Sequence, residues 1–171
     1  MTRPVIGAET AALRLVHGRS MIKERETDMP WSQQASCYGI NDDTFFPGDN
    51  GEGASLSAMH RTCFDCLVKD ECRVAGLGED FGIWGNSSPT ERRAMRRVFE
   101  SIMDLRGEYE HLAVYRRWSE RVLRLRDLGD DLSTAMRKMG ADDHMIRTLL
   151  AYTRGDRFAA ANLARQEEIH V

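Results

Sequence analysis

The run CFDCLVKDEC, Cys63 to Cys72, sets three cysteines at C-x2-C-x5-C, and the remaining cysteine of the chain, Cys37, lies a short distance upstream. A C-x2-C pair on a turn or at a helix start lets two thiolates face one ion. Cys72 follows Cys66 by six residues, close to two helical turns, and can return to the same side. The N-terminal MTRPVIGAETAALRL lacks the basic start, apolar core and small-residue cleavage site of a secretory signal, so a cytoplasmic location is expected. In a reducing compartment clustered cysteines are metal ligands or redox groups more often than disulfides. Four thiolates suit tetrahedral zinc or an iron–sulfur cluster, and spacing alone leaves both open, although zinc usually brings a second C-x2-4-C knuckle. Four buried, unliganded cysteines are the plain alternative. His60, three residues before Cys63, could add a ligand but reads as an ordinary solvated histidine.

Composition frames this site. The 171 residues suffice for about one domain with an extension, and 42% apolar with 30% charged residues is a globular balance. The longest stretch without Asp, Glu, Lys or Arg, Met29 to Asn41, is mixed and falls short of the ~20 apolar residues of a membrane span. Net charge is −3, which argues against a nucleic-acid binder over its whole surface. The charge is uneven: residues 1–90 carry 8 basic and 13 acidic groups, and 91–171 carry 16 and 14. The change of character falls near Ser88-Pro89.

Around the cysteines, WSQQASCYGINDDTFFP (Trp31 to Pro47), the cysteine trio, GIWGN (Gly82 to Asn86) and a following Glu-Arg-Arg resemble, in order, the WhiB-like proteins of actinobacteria and their phages. The likeness runs from about Trp31 to Arg97. It implies a 4Fe-4S cluster held by Cys37, Cys63, Cys66 and Cys72, and transcription regulation through region 4 of the primary sigma factor of RNA polymerase. It also implies that Phe45, Phe46, Pro47 and the Gly82-x-Trp84-Gly85 turn face the sigma factor. The residues add that adjacent rings on an extended segment point oppositely, so one of Phe45 and Phe46 packs inward. Trp84 between two glycines is a turn presenting a large ring, either to a partner or as a lid over the cluster. Two departures stand out: the family turn usually ends Gly-Gly where this chain has Asn86, and the family commonly stops in a short basic tail where this chain continues to Val171.

Beyond the turn, Ser88-Pro89-Thr90-Glu91 predicts a helix start with a capping box. Ile102, Leu105, Tyr109, Leu112, Tyr115, Trp118, Val122 and Leu125 then recur at steps of three and four, a helical stripe that Gly107 either weakens or breaks. Arg92, Arg93, Arg96 and Arg97 are the candidate phosphate contacts. The later arginines interleave with acids and read as a solvated, salt-bridged face. Leu132 to Met139 and His144 to Tyr152 predict two short helices around Gly140, a weak likeness to a helix-turn-helix whose second helix would begin with Asp142 and Asp143, which repel phosphate. A last helix is expected over Phe158 to Gln166, and a short one over Ala8 to His17.

The reading is an all-α protein, with an N-terminal extension over 1–28, a cluster-binding domain over 29–97 and a helical C-terminal extension over 98–171. The expected function is transcription regulation, with a 4Fe-4S cluster as cofactor, the sigma factor and RNA polymerase holoenzyme as partners, and promoter DNA as a further candidate. Alternatives are a cluster-based sensor of oxygen or nitric oxide that binds DNA directly, and a zinc-stabilised interaction module. No enzyme is expected: Gly48 to Gly53 lacks the lysine and helix of a phosphate-binding loop, and Cys63-x-x-Cys66 lacks the strand-helix setting of a dithiol oxidoreductase.

Overall fold

Ser88, Pro89 and Glu91 start the helix that divides the two sequence modules. The Ser88 N–H donates to Glu91 Oε2 at 2.9 Å, and the Glu91 N–H donates to Ser88 Oγ at 3.3 Å, which closes the expected capping box. A computed structural model of the chain describes residues 30–40, 45–46, 56–103 and 108–169. Their helices are α1 (Leu56–Phe64), α2 (Lys69–Ala75), α3 (Pro89–Met103), α4 (Glu108–Asp127), α5 (Leu132–Lys138), α6 (Asp143–Leu150) and α7 (Arg154–Ile169), with short 3-10 turns at Trp31–Gln34 and Gly76–Gly78. The fold is all-α. Among the described residues β-pairing is limited to one antiparallel bridge, Trp84 to Ser87. No described helix is long and apolar enough to cross a membrane.

The helical stripe of α4 is the spine of the core. Tyr115, Trp118 and Val122 are buried on it, and Phe99 of α3 meets Tyr115 and Trp118 edge-on, with ring centroids 6.1 and 5.4 Å apart. Val74 of α2, Leu77, Met95 of α3, Met136 of α5, and Met145 and Leu149 of α6 complete the same cluster. Each ring's polar tip has a partner: Tyr115 Oη donates to the Arg96 carbonyl at 3.0 Å, and Trp118 Nε1 to that of Met139 at 2.9 Å. Asp131 and Asp142 cap α5 and α6 by accepting from the Thr134 and Met145 N–H groups. The helices after residue 97 therefore share one core with the helix that carries Cys72, and Trp31–Val171 forms a single unit. A smaller cluster of Phe45, Met59, Cys63 and Ile83 sits beneath the cysteines.

The final helix begins at Arg154, four residues before the expected start. Thr153 and Asp156 account for the difference: the Thr153 N–H donates to Asp156 Oδ2 at 3.0 Å, and the Asp156 N–H donates to Thr153 Oγ1 at 3.3 Å, a second capping box. Glu91 also reaches this end, since its Oε1 accepts from the Arg154 N–H at 2.6 Å. α7 packs along α1, with Phe158 edge-on to His60 at 5.7 Å. Pro47, Gly107 and the expected helix over Ala8 to His17 lie outside the described residues.

Candidate metal centre

Three segments bring the cysteines together. Cys37 follows the 3-10 turn at Trp31–Gln34, in consecutive turns closed by Tyr38 N–H to Ala35 carbonyl and Ile40 N–H to Cys37 carbonyl bonds, both 2.9 Å. Cys63 lies on the last turn of α1, Cys66 in the bend that follows, and Cys72 within α2. All four line one pocket, together with Ala35, Thr62, Lys69 and Gly85. Backbone N–H groups point at the sulfurs: Ser36 to Cys66 Sγ at 3.4 Å, Gly85 to Cys72 Sγ at 3.1 Å, and Asn86 to Cys63.

Burial pushes the Cys63 thiol up to about 11 and the Cys72 thiol up to about 12, against the smaller lowering effects of the Asn86 and Gly85 N–H groups. Neighbouring cysteines add to the rise in both. Such thiols become thiolates near neutral pH only beside a strong local positive charge, which a bound metal centre supplies. The donor set therefore fits a thiolate-ligated centre: four sulfurs on one pocket, N–H donors aimed at three of them, and, among the described residues, no carboxylate or imidazole on its walls. Among the described residues no three His, Cys, Asp or Glu side chains converge closely enough to hold a single ion. Zinc would draw every sulfur to about 2.3 Å from one point, whereas an iron–sulfur cluster spreads its thiolates over several irons.

The turn from Gly82 to Ser87 forms the next layer. Trp84 and Ser87 exchange N–H to carbonyl bonds at 3.1 and 2.9 Å, and the Ile83 N–H reaches the Phe45 carbonyl at 3.0 Å. Gly85 and Asn86 both take positive φ, +52° and +65°. A Cβ on Gly85 would overlap the Lys69 carbonyl and the Arg73 stem, so this position needs glycine for space as well as conformation. Asparagine tolerates the left-handed region at 86 and uses its side chain there. Gly82 and Gly85 are buried, while Trp84 is half-buried, with Nε1 donating to the Phe81 carbonyl at 3.1 Å.

Phe45 is 7% exposed in the small core, and Phe46 is 43% exposed, edge-on to Trp84 with centroids 6.0 Å apart. The alternation expected for adjacent rings holds, and it withdraws Phe45 from the partner-facing set. The arginine cluster needs a larger correction. Arg92 is fully buried: Nη1 donates to the Gly82 and Ser87 carbonyls at 2.9 and 2.7 Å, Nη2 to that of Phe81 at 2.7 Å, and Nε to that of Glu79 at 3.1 Å. Arg96 is also buried, on the Leu77 carbonyl at 3.0 Å and Asp80 Oδ1 at 2.7 Å. Both point into the protein and cannot meet phosphate; only Arg93 and Arg97 are exposed. Burial, and then the charge of Arg96, lower the Arg92 pKa to about 10.

Sequence reasoning also missed three polar residues. His60 is buried, not solvated, with Nδ1 2.5 Å from Asn86 Oδ1. Arg73, 1% exposed, donates Nε to the Gly85 carbonyl at 2.6 Å and Nη2 to Asp156 Oδ2 at 2.5 Å. Asp156 itself is 1% exposed. The Thr153-x-x-Asp156 capping signature could have located the last, but its partners are remote in sequence.

Comparison with known proteins agrees with the cysteine pattern. The family model "Transcription factor WhiB" matches residues 31–95. The transcriptional regulator WhiB of Streptomyces coelicolor is 30% identical over 80 residues, covering 46% of this chain and 88% of that protein. WhiB2 of Mycolicibacterium smegmatis is 38% identical over 76 residues, covering 43% of this chain and 56% of its own length. WhiB1 of Mycobacterium tuberculosis is 37% identical over 73 residues, covering 40% and 87%. No solved structure matches the chain.

Proposed function

The chain belongs to the WhiB family of transcription factors, and on that premise we propose that it regulates transcription with a 4Fe-4S cluster on Cys37, Cys63, Cys66 and Cys72 and docks on region 4 of the primary sigma factor. The observation that carries the reading is the convergence of four cysteines from three segments on one pocket, with backbone N–H groups aimed at the sulfurs. Its relatives are named transcriptional regulators, and the proposal is a regulator, not an enzyme. Residues 29–97 form the cluster module of this proposal, and 98–171 are its helical support.

When bound, the cluster supplies a redox-sensitive centre and a cross-link between the three segments. The chain's own residues do the rest. Ser36, Gly85 and Asn86 direct N–H dipoles at the sulfurs, and at Cys63 and Cys72 these favour thiolate against the effect of burial. Arg92 fixes the turn by holding the Gly82 and Ser87 carbonyls at its two ends and those of Glu79 and Phe81 just before it, and the turn presents Trp84 beside Phe46. These two rings, beside Gly85 of the cysteine pocket, and the 76% exposed Phe81 just before the turn are the apolar side chains we assign to the protein contact. Pro47 completes the proposed contact from outside the described residues. Of the four arginines assigned to DNA, Arg93 and Arg97 remain for promoter phosphates.

The test is iron, sulfide and zinc content of protein purified without oxygen, with its visible spectrum. About four irons and four sulfides per chain are expected, and Cys66→Ser should lose both iron and sigma binding. One zinc with no iron in repeated anaerobic preparations, or full sigma binding by the iron-free protein, would overturn the proposal.

A further inference from the structure

Outside the segment that the family model matches, one residue reaches three walls of the cysteine pocket. The Asp156 carboxylate accepts from Arg73 Nη2 at 2.5 Å, Asn86 Nδ2 at 2.6 Å, the Thr153 N–H at 3.0 Å and Lys69 Nζ at 3.3 Å. Lys69 itself lines the pocket. Arg73 follows Cys72 in the chain and holds the Gly85 carbonyl, while the Gly85 N–H donates to Cys72 Sγ. Asn86 passes the connection to His60 on α1, one turn before Cys63. The path from Asp156 to Cys72 thus runs through three hydrogen bonds, by way of the Arg73 guanidinium and the Gly85 backbone, and the path to α1 through one side-chain amide.

The contact is built for closeness. A Cβ on Gly155 would overlap the Asn86 carbonyl and lie 2.6 Å from His60 Cε1, so glycine there lets the start of α7 press against the turn. The Arg73 and Asp156 side chains are each 1% exposed, so the pair is shielded from bulk solvent. Removing one charge from such a pair leaves the other buried without compensation, which is far costlier than losing a surface ion pair.

We propose that Asp156 is a positioning residue for the cysteine pocket. Through Arg73, Lys69 and Asn86 it braces α1, α2 and the 82–87 turn from outside, so that Cys63 and Cys72 keep their relation whether or not a metal centre is bound. The C-terminal extension then serves to hold the pocket ready, and a centre can be lost and replaced without refolding. The part of this inference that concerns iron rests on the cluster reading above.

The experiment uses the full chain with Asp156→Asn, and with Asn86→Gly as a milder variant that keeps positive φ accessible and leaves the Arg73–Asp156 pair in place. Asp143→Asn, which touches only the exposed pair with Arg137, is the control. In iron-free, reduced protein the rate of maleimide addition to Cys72 is followed by mass spectrometry. In iron-loaded protein the rate of iron loss to a ferrous chelator and the midpoint potential are measured. Modification of Cys72 and loss of iron should both accelerate by about tenfold or more in Asp156→Asn, and by less in Asn86→Gly, because both report local opening of the pocket. Helical circular dichroism should stay near the parent's, and Asp143→Asn should match the parent throughout. Parental rates in a folded Asp156→Asn would overturn the proposal; if that variant does not fold, parental rates in Asn86→Gly would. Failure of the parent to take up iron would sink the cluster reading alone, because the thiol measurement would still decide whether Asp156 braces the pocket.

Discussion

Arg92→Ala separates a buried anchor from a phosphate contact. The side chain is fully buried and donates four hydrogen bonds to carbonyls between Glu79 and Ser87, of which those to Gly82 and Ser87 lie in the interior. A hydrogen bond to a charged group contributes about 1.5–3 kcal/mol, so two interior carbonyls left without a donor should cost about 3–6 kcal/mol. The cation's burial is itself unfavourable, as its pKa near 10 indicates, and removing it offsets part of that loss. A net destabilisation of about 2–4 kcal/mol is expected. For an ordered unit of this size that corresponds to a fall in Tm of about 6–12 °C. Thermal unfolding of iron-free protein followed by circular dichroism measures it directly. If Arg92 met DNA instead, Arg92→Ala would leave Tm within about 2 °C of the parent and flatten the dependence of DNA affinity on salt by about one phosphate's worth. That pair of results would refute the anchor assignment, and Arg93→Ala, on an exposed position of the same helix, is the matching control.

The proposed docking patch predicts that Trp84→Ala and Phe46→Ala keep their iron yet weaken sigma-factor binding several-fold or more in a titration; unchanged affinity would return both rings to a structural role. Gly155→Ala should destabilise the protein by about 1–3 kcal/mol in urea, because its methyl would overlap the Asn86 carbonyl, and an unchanged midpoint would remove the close approach of α7 from the account. For Asp156, burial alone would raise the carboxyl pKa, but the Asn86 amide, the Thr153 N–H and Arg73 together hold it below the usual carboxylate range. A lowered folded pKa contributes stability that is present above the unfolded value of about 4 and is lost as pH falls through the folded one. The stability gap between parent and Asp156→Asn should accordingly be flat from about pH 7 to 5 and shrink below about pH 4; a gap that widens toward acid would contradict this.

What the sequence disclosed was what local rules govern. The C-x2-C-x5-C spacing, the Ser88 capping box and the three-four stripe through Tyr115, Trp118 and Val122 each depend on neighbours within a turn or two, and each corresponds to an element described here. The arginines failed for the opposite reason, since whether a guanidinium meets phosphate or carbonyl depends on a turn that folds back from outside its helix. A clue was present nonetheless. Arg92 and Arg96 share a helix face with Met95 and Phe99, the inward side of α3, whereas Arg93 and Arg97 lie off it.

The same limit explains Asn86 and the C-terminal extension, which looked like two unrelated departures from the family pattern. Asn86 does more than survive in a glycine's place: its amide joins His60 on one side to Asp156 on the other. A glycine there would keep the turn and break both links. Asp156, in turn, has a buried site only because Lys69, Arg73 and Asn86 surround it, and α7 comes close enough to use them only because residue 155 is glycine. Gly155 and Asp156 are unremarked in sequence, Asn86 stands out there only as a missing glycine, and each needs the others in space. The substitution in the turn and the added helix are therefore two ends of one contact, and a chain with the extension but glycine at 86 should hold its α7 against the pocket less firmly than this one.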